Sequence, residues 1–434
     1  MNESERSGRW SFLTRPGPWF WVLVAAGLSA RIFLAVATHG TEDARLWTAH
    51  ASGVAEHGLI RHYAREAQFN HPPAIAWAMA RLWELSSSLG LEFRVAYRLP
   101  VALVDLLSAF LIVRVLRDSR WRWVAAGLYC IAPVACVLAA QHGNTDALIA
   151  ACLLGCTLFA AERRPIATGA LLGLCAWIKL PGLIAAPALV FVFPRWRDRA
   201  LCSAVALAVA SSTYVGPLIE AARFAASHPR AVPSGGNVVW ERVFLYRGYF
   251  LQIDGEPPIW VWGLKNFLLR ALGDDVRAWP TWAVWWCWNN SKIALPLIVV
   301  YGFLRRREHT ALGIAATIAG TYAIFYALIE AWAFQYFAWS MPFWMLAGWR
   351  YATLSNVFGG GYIYAFYAFA SGDWLLRPEW RPLTVADWPV ELVWLRDAAV
   401  VTFLAFAATW FAKAVATEFA AWRARRARVT SAGS

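Results

Sequence analysis

Long apolar stretches separated by short arginine-rich breaks run from Pro18 to Ala416, and this alternation predicts a series of membrane-spanning helices. The breaks carry Arg114, Arg117, Arg120 and Arg122; Arg163 and Arg164; Arg195, Arg197 and Arg199; Arg305, Arg306 and Arg307; and Arg423, Arg425, Arg426 and Arg428. Positive residues beside apolar spans stay on the cytoplasmic side, so each cluster marks an inner boundary. The expected crossings are 18–37, 97–116, 123–140, 147–161, 200–219, 281–304, 309–329, 337–348, 351–370 and 395–416. The stretch 166–193 exceeds the roughly 20 residues of one upright span. A single crossing there would also strand Arg195 and Arg197 outside, so it reads as two short helices joined at Lys179-Leu180-Pro181-Gly182. The expected fold class is all-α: one polytopic domain over 1–434 with about 12 transmembrane helices, both termini cytoplasmic, in the cell membrane.

Two long outer loops follow from this topology, 38–96 and 220–280. Within the first, 72–89 is apolar but contains Arg81 and Glu84 and ends in Ser86-Ser87-Ser88. A crossing there would put the Arg114–Arg122 cluster outside. An interfacial helix avoids that conflict, with Arg81 and Glu84 sharing a face at i, i+3. The first span follows Arg6, Arg9 and Arg15 and ends in Ala35-Val36-Ala37, which mimics a signal-peptidase site. Its apolar run is longer than a signal core of about 7–15 residues, which favours an uncleaved anchor.

Composition agrees with the pattern: 59% of the 434 residues are hydrophobic and 15% charged, against about 25% charged in soluble chains. The 28 tryptophans suit water–lipid boundaries. A net charge of +13 raises nucleic acid as a partner, but the basic residues flank apolar spans, so the expected partner is the bilayer and no nucleic acid. Cys130, Cys136, Cys152, Cys156, Cys175, Cys202 and Cys287 all lie in apolar runs without CxxC spacing. They read as small buried hydrophobes, and no metal or cofactor is expected.

Once the arginines fix the inner side, several polar groups fall together on the outer one. These are Glu42-Asp43; Asn70-His71-Pro72-Pro73 with Arg98; Asp146 in Gln141-His142-Gly143-Asn144-Thr145-Asp146; Lys179; and, more weakly, Glu330 with Gln335 and Tyr336. Carboxylates within reach of cations suit group transfer from a phosphorylated donor. The carboxylate takes the proton of an acceptor hydroxyl, and the cation stabilises the departing phosphate. Structural alternatives stand beside each role: Asp43 and Asp146 as helix caps, Arg98 and Lys179 as interfacial side chains, His71 as a loop brace. Asp105 and Lys292 lie deeper, where ionisable groups demand partners, and read as structural.

The ordered set of motifs resembles the GT-C-type integral-membrane glycosyltransferases, especially the bacterial mannosyltransferase-like group that uses polyprenol-phosphate sugars. The pieces that carry it are Asp43-Ala44-Arg45-Leu46-Trp47 with Gly58 and Tyr63, His71-Pro72-Pro73, Arg98-Leu99-Pro100 with Asp105, and Gly143-Asn144-Thr145-Asp146-Ala147. They continue through Gly169, Gly173, Lys179 and Pro187 to Val243-Phe244-Leu245-Tyr246-Arg247, Trp262-Gly263 and Gln335-Tyr336 before Met341-Pro342-Phe343. The resemblance implies Asp43 as general base with Glu42 as fallback, Asp146 as a second acidic position, and Arg98 and Lys179 near the donor phosphate. Asn70, His71, Gln335 and Tyr336 would complete the substrate site. It also implies a polyprenyl-phosphate-linked donor, inversion at the anomeric carbon, and a lipid, glycan or protein acceptor. Phe334 stands where relatives tend to have histidine. A secondary transporter and a catalytically inactive lipid-handling protein of the same fold are the competing readings. The absence of an internal repeat weighs against transport.

Overall fold

Helices account for all the regular structure in the computed structural model, which describes residues 16–228, 236–245, 262, 267, 271–273, 278–329, 334–381 and 388–432. Arg6, Arg9, Arg15, Tyr246, Arg247, Gly263, Glu330 and most of the expected second outer loop lie outside these residues. The helices are α1 (Pro18–Ala37), α2 (Glu42–His57), α3 (Leu59–Arg65), α4 (Pro73–Ser88), α5 (Phe93–Val115), α6 (Arg122–Cys130) and α7 (Pro133–Cys136, continuing as a π turn over Val137–Gln141). Then follow α8 (Asp146–Ala161), α9 (Pro165–Ile178), a 3-10 segment over Leu180–Ala185, α10 (Ala186–Val190), α11 (Trp196–Ser212) and α12 (Val215–Ser227). The last are α13 (Thr281–Leu304), α14 (Ala311–Leu328), α15 (Tyr336–Ala347), α16 (Trp349–Leu354), α17 (Gly361–Ser371) and α18 (Val390–Ala432).

Fewer helices are built to cross a bilayer than the hydropathy pattern predicts. Among the described residues four are long and apolar enough (α1, α5, α14 and α18), or six when the bent pairs α6/α7 and α11/α12 each count as one span. The shortfall has physical causes. Pro133 breaks the expected 123–140 span into segments 50° apart, and α11 meets α12 at 44°. At 1.5 Å per residue, the 16 residues of α8 extend only about 24 Å. The chain breaks at Lys179, whose extended backbone (φ −167°, ψ 133°) ends α9, as the sequence predicts. Helix α12 also runs to Ser227, into what was expected to be the outer loop from 220.

The outward faces are apolar. Helix α5 exposes Leu103 and Leu107 while burying Ala102, Asp105, Ala109 and Ile112, the reverse of a water-soluble helix and the mark of a lipid-facing one. Inside, Asp105 finds its partner in Arg31 of α1, at 2.6 Å with both side chains under 5% exposed. Tyr129 of α6 donates to the same carboxylate. Arg31 also donates to the Gly27 carbonyl and to Cys136, so one polar knot fastens α1, α5, α6 and α7 within the apolar layer. Lys292 is exposed on α13.

Several arginine clusters gather at one end of the bundle. Arg306, Arg307 and Arg425 all meet Glu418 of α18, at 2.8, 3.4 and 3.2 Å, and the charge of Arg163 is felt at His309. Helices α8 and α9 run between that end and the opposite one, where Asp146 and Lys179 lie. The three helices of the first loop, α2, α3 and α4, cap this second end. Helix α4 confirms the helix expected over 72–89, with Arg81 and Glu84 paired at 2.7 Å on its exposed face.

Candidate active site

Asp146 starts α8 and Lys179 closes α9, so an acid sits at a helix N-terminus and a base at a C-terminus, each favoured by the helix dipole. Their side chains meet at 3.2 Å, 2% and 9% exposed. Trp339 of α15 donates its indole N–H to the Asp146 carboxylate. The Lys179 ammonium also lies 5.6 Å from the Tyr336 ring centre and 6.0 Å from that of Trp339, distances at which a cation is drawn to an aromatic face. Tyr336 stacks on Trp339 at 4.3 Å. Thr145 holds the cap position and Asp146 the first turn, so the carboxylate is committed to Lys179 and Trp339 rather than to capping.

Asp43 comes to the same place from the first turn of α2. Thr41, and not Asp43, caps that helix: its hydroxyl accepts from the Asp43 N–H and donates to the His142 carbonyl. The Asp43 carboxylate then accepts at Oδ2 from Asn144 Nδ2 (2.6 Å) and from His142 Nε2 (3.1 Å). Its side chain remains 29% exposed. Burial alone pushes this carboxyl upward; the hydrogen bond from His142, then the charge of Lys179 and the Asn144 bond, oppose it and hold the pKa below the usual carboxylate range. Asp43 is therefore ionised throughout the neutral and mildly acidic range.

Glu42 points elsewhere. It is exposed and paired with Arg45 one turn on, which leaves Asp43 as the acid of this motif that enters the cluster. His71 stacks on the buried Trp47 at 4.0 Å, and its buried Nδ1 has no hydrogen-bond partner among the described residues. Burial, then the charge of Lys179, holds its pKa well below the ordinary histidine value, so the ring is neutral. Asn70 and Gln335 are half-buried at the starts of the segments leading to α4 and α15.

Arg98 takes a different part from the one expected. It is fully buried, and its five N–H groups reach the carbonyls of Arg94, Ala35, Thr38 and Gln141 and the Thr38 hydroxyl. It thus clamps the end of α1 to α5 and to the 141–146 turn, with no donor left over for a phosphate. Asp43, Asp146, Lys179, His71 and Tyr336, from five separate segments, are gathered; Glu42 and Arg98 are not part of the open cluster.

Three participants went unassigned from sequence: His142 and Asn144, inside a turn already singled out, and Trp339, three residues past Tyr336. The turn depends on Gly143. Its φ is +79°, and a Cβ there would come within 2.5 Å of the Tyr97 hydroxyl and 2.9 Å of the Ala44 Cβ. Tyr97 donates to the Gly143 carbonyl at 2.9 Å. Gly143→Ala is expected to cost about 1–3 kcal/mol and to pull His142 and Asn144 off Asp43; thermal unfolding in detergent beside a transfer assay measures both effects, and an unchanged melting temperature would refute the packing argument.

The sequence model of glycosyltransferase family 87 matches residues 69–297, more than half of the chain. The match takes in His71, Arg98, His142, Asn144, Asp146 and Lys179, while Asp43, Gln335 and Tyr336 lie beyond it. No curated protein and no solved structure matches.

Proposed function

The chain belongs to glycosyltransferase family 87, and from that premise we propose that it moves a hexose such as mannose from a polyprenyl-phosphate donor to an acceptor hydroxyl on the outer side of the cell membrane, inverting the anomeric carbon. The observation that carries this reading is the placement of an ionised, partly open Asp43 carboxylate within the field of a buried lysine. Asp43 takes the acceptor proton as the new C–O bond forms, while the bond from the anomeric carbon to the phosphate oxygen breaks and the phosphate leaves with the electron pair. Lys179 stabilises that growing charge. A phosphate leaves readily, so one carboxyl group suffices where glycoside hydrolysis normally needs two.

A carboxylate held below the usual range is a weak base, which suits a late proton transfer: the hydroxyl becomes strongly acidic only as its oxygen bonds to an electron-poor anomeric carbon. The Nδ1 of His71, without a hydrogen-bond partner among the described residues, offers a polar contact for sugar hydroxyls, with the adjacent Asn70 and, from the start of α15, Gln335. The exposed apolar helix faces suit a polyprenyl tail.

Envelope glycans from strains with and without the gene, compared by mass, test the reading. Loss of one hexose from a defined lipid, glycan or protein is the expected result and names the acceptor. Identical glycans, together with solute uptake by proteoliposomes of the purified chain, would replace it with the transporter reading.

A further inference from the structure

The hydrogen bonds to Asp43 converge on one oxygen. His142 Nε2 and Asn144 Nδ2 both reach Oδ2, and Oδ1 has no partner among the described residues. The imidazole is itself gripped from behind: Tyr367 of α17 bonds through its hydroxyl to His142 Nδ1, the two ring centres lying 5.7 Å apart. Tyr367 is fully buried, and its hydroxyl proton has His142 Nδ1 as its acceptor among the described residues. A buried O–H must be satisfied, so the tyrosine donates and Nδ1 accepts. A neutral imidazole carries one N–H, and Nδ1 acting as acceptor puts that hydrogen on Nε2, facing Asp43.

We propose that Tyr367 and His142 are positioning residues for glycosyl transfer: Tyr367 locks His142 in its Nε2–H tautomer, and His142, with Asn144, pins Oδ2 of Asp43 so that Oδ1 alone meets the acceptor hydroxyl. The lock links α17 to α2 through the 141–146 turn, across 225 residues of sequence. No proton needs to pass along it. The acceptor proton arrives on Oδ1 and leaves to water from the same oxygen, while the Nε2–H and the phenolic O–H stay in place. Because Oδ2 is tied down, the base reaches the acceptor from one direction. Lys179, His50, His71 and Tyr97 are the other titratable groups that interact with Asp43, and Asp146 also interacts with His142. None of these donates to Asp43 or to His142 Nδ1 in the structure.

The inference rests on the proposed role of Asp43, and two measurements separate the failure of one from the failure of the other. The first needs no turnover. In the full-length protein labelled with 15N-histidine in lipid nanodiscs, the His142 nitrogens (assigned by loss of signal in His142→Gln) should report a protonated Nε2 and an unprotonated Nδ1 near neutral pH. Tyr367→Phe should introduce the Nδ1–H form. A protonated Nδ1 in the unaltered protein, or a tautomer indifferent to Tyr367→Phe, overturns the lock.

The second measurement is transfer from a radiolabelled polyprenyl-phosphate mannose in membranes. Tyr367→Phe should lower kcat about 10–100-fold, as removal of an orienting partner does elsewhere, with KM for the donor unchanged. The acidic limb of its pH profile should move upward, because Asp43 loses a donor to its charged form. His142→Gln keeps an N–H for Oδ2 and should recover much of the activity lost in His142→Ala. Unchanged kcat and pH profile in Tyr367→Phe overturn the positioning role even where the tautomer is as described. Absence of transfer by the unaltered protein overturns the donor assignment and leaves the tautomer result standing.

Discussion

Asp43→Asn is expected to lower glycosyl transfer by roughly 10²–10⁴, the range for a positioned general base, while the protein inserts and folds as before. The amide keeps the shape of the carboxylate and still fills the space between His142 and Asn144, so any loss is one of charge and basicity. Some local cost is unavoidable, because the two donors that reached the charged Oδ2 now meet a neutral amide oxygen. The amide oxygen can still accept from Asn144, which limits that cost. Donor binding should survive, since Lys179 and Asp146 are untouched. Measured on matched amounts of inserted protein, a fall in kcat with an unchanged donor KM is the expected signature. Glu42→Gln is the control: Glu42 is exposed and held by Arg45, and its replacement should change transfer little. Full activity in Asp43→Asn would remove the base assignment, and loss in Glu42→Gln of the same size would shift it.

How far the sequence discloses this site depends on the range over which its interactions act. Helix breaks are local: Lys179-Leu180-Pro181-Gly182 ends a helix through proline and glycine chemistry, and the structure breaks there. The helix over 72–89 is equally local, as is the sharing of one face by Arg81 and Glu84. The charge rule for membranes reached further, because the clusters at 305–307 and 423–428 do share one end of the bundle. Span counting did not carry over. A hydropathy window cannot see the 50° bend between Arg122–Cys130 and Pro133–Gln141.

Side-chain partnerships between distant segments are the least legible. That an ionisable group in the apolar layer needs a partner follows from solvation alone, so Asp105 could be assigned a structural role; that the partner is Arg31 could not be read. Arg98 shows the converse. An arginine at the mouth of a span looks available from sequence, and only the carbonyls folded around it show that it is fully engaged. Tyr367 had no signal at all, being one tyrosine in an apolar run.

The second large effect expected is at Lys179, where loss of fold and loss of function can be told apart. Lys179→Met removes the cation and leaves the Asp146 carboxylate buried against Trp339 with its charge uncompensated. Breaking one side of such a pair costs about 3–5 kcal/mol, so the single variant should be poorly folded and inactive for two reasons at once. Lys179→Met with Asp146→Asn removes both charges together. The amide oxygen still accepts from Trp339, and no unpaired ion remains, so the melting temperature in detergent should recover most of what the single variant lost. Transfer should not recover, because nothing then faces the departing phosphate with positive charge; the expected deficit is about 10²–10³, the cost of removing one group aimed at developing charge. Arg98 cannot substitute, since its five N–H groups are engaged on α1, α5 and the 141–146 turn. Lys179→Arg keeps the charge on a longer, planar head and should fall between the two. If the double variant regained transfer with its stability, Lys179 and Asp146 would be a structural pair alone, and the phosphate would have to be met by another group.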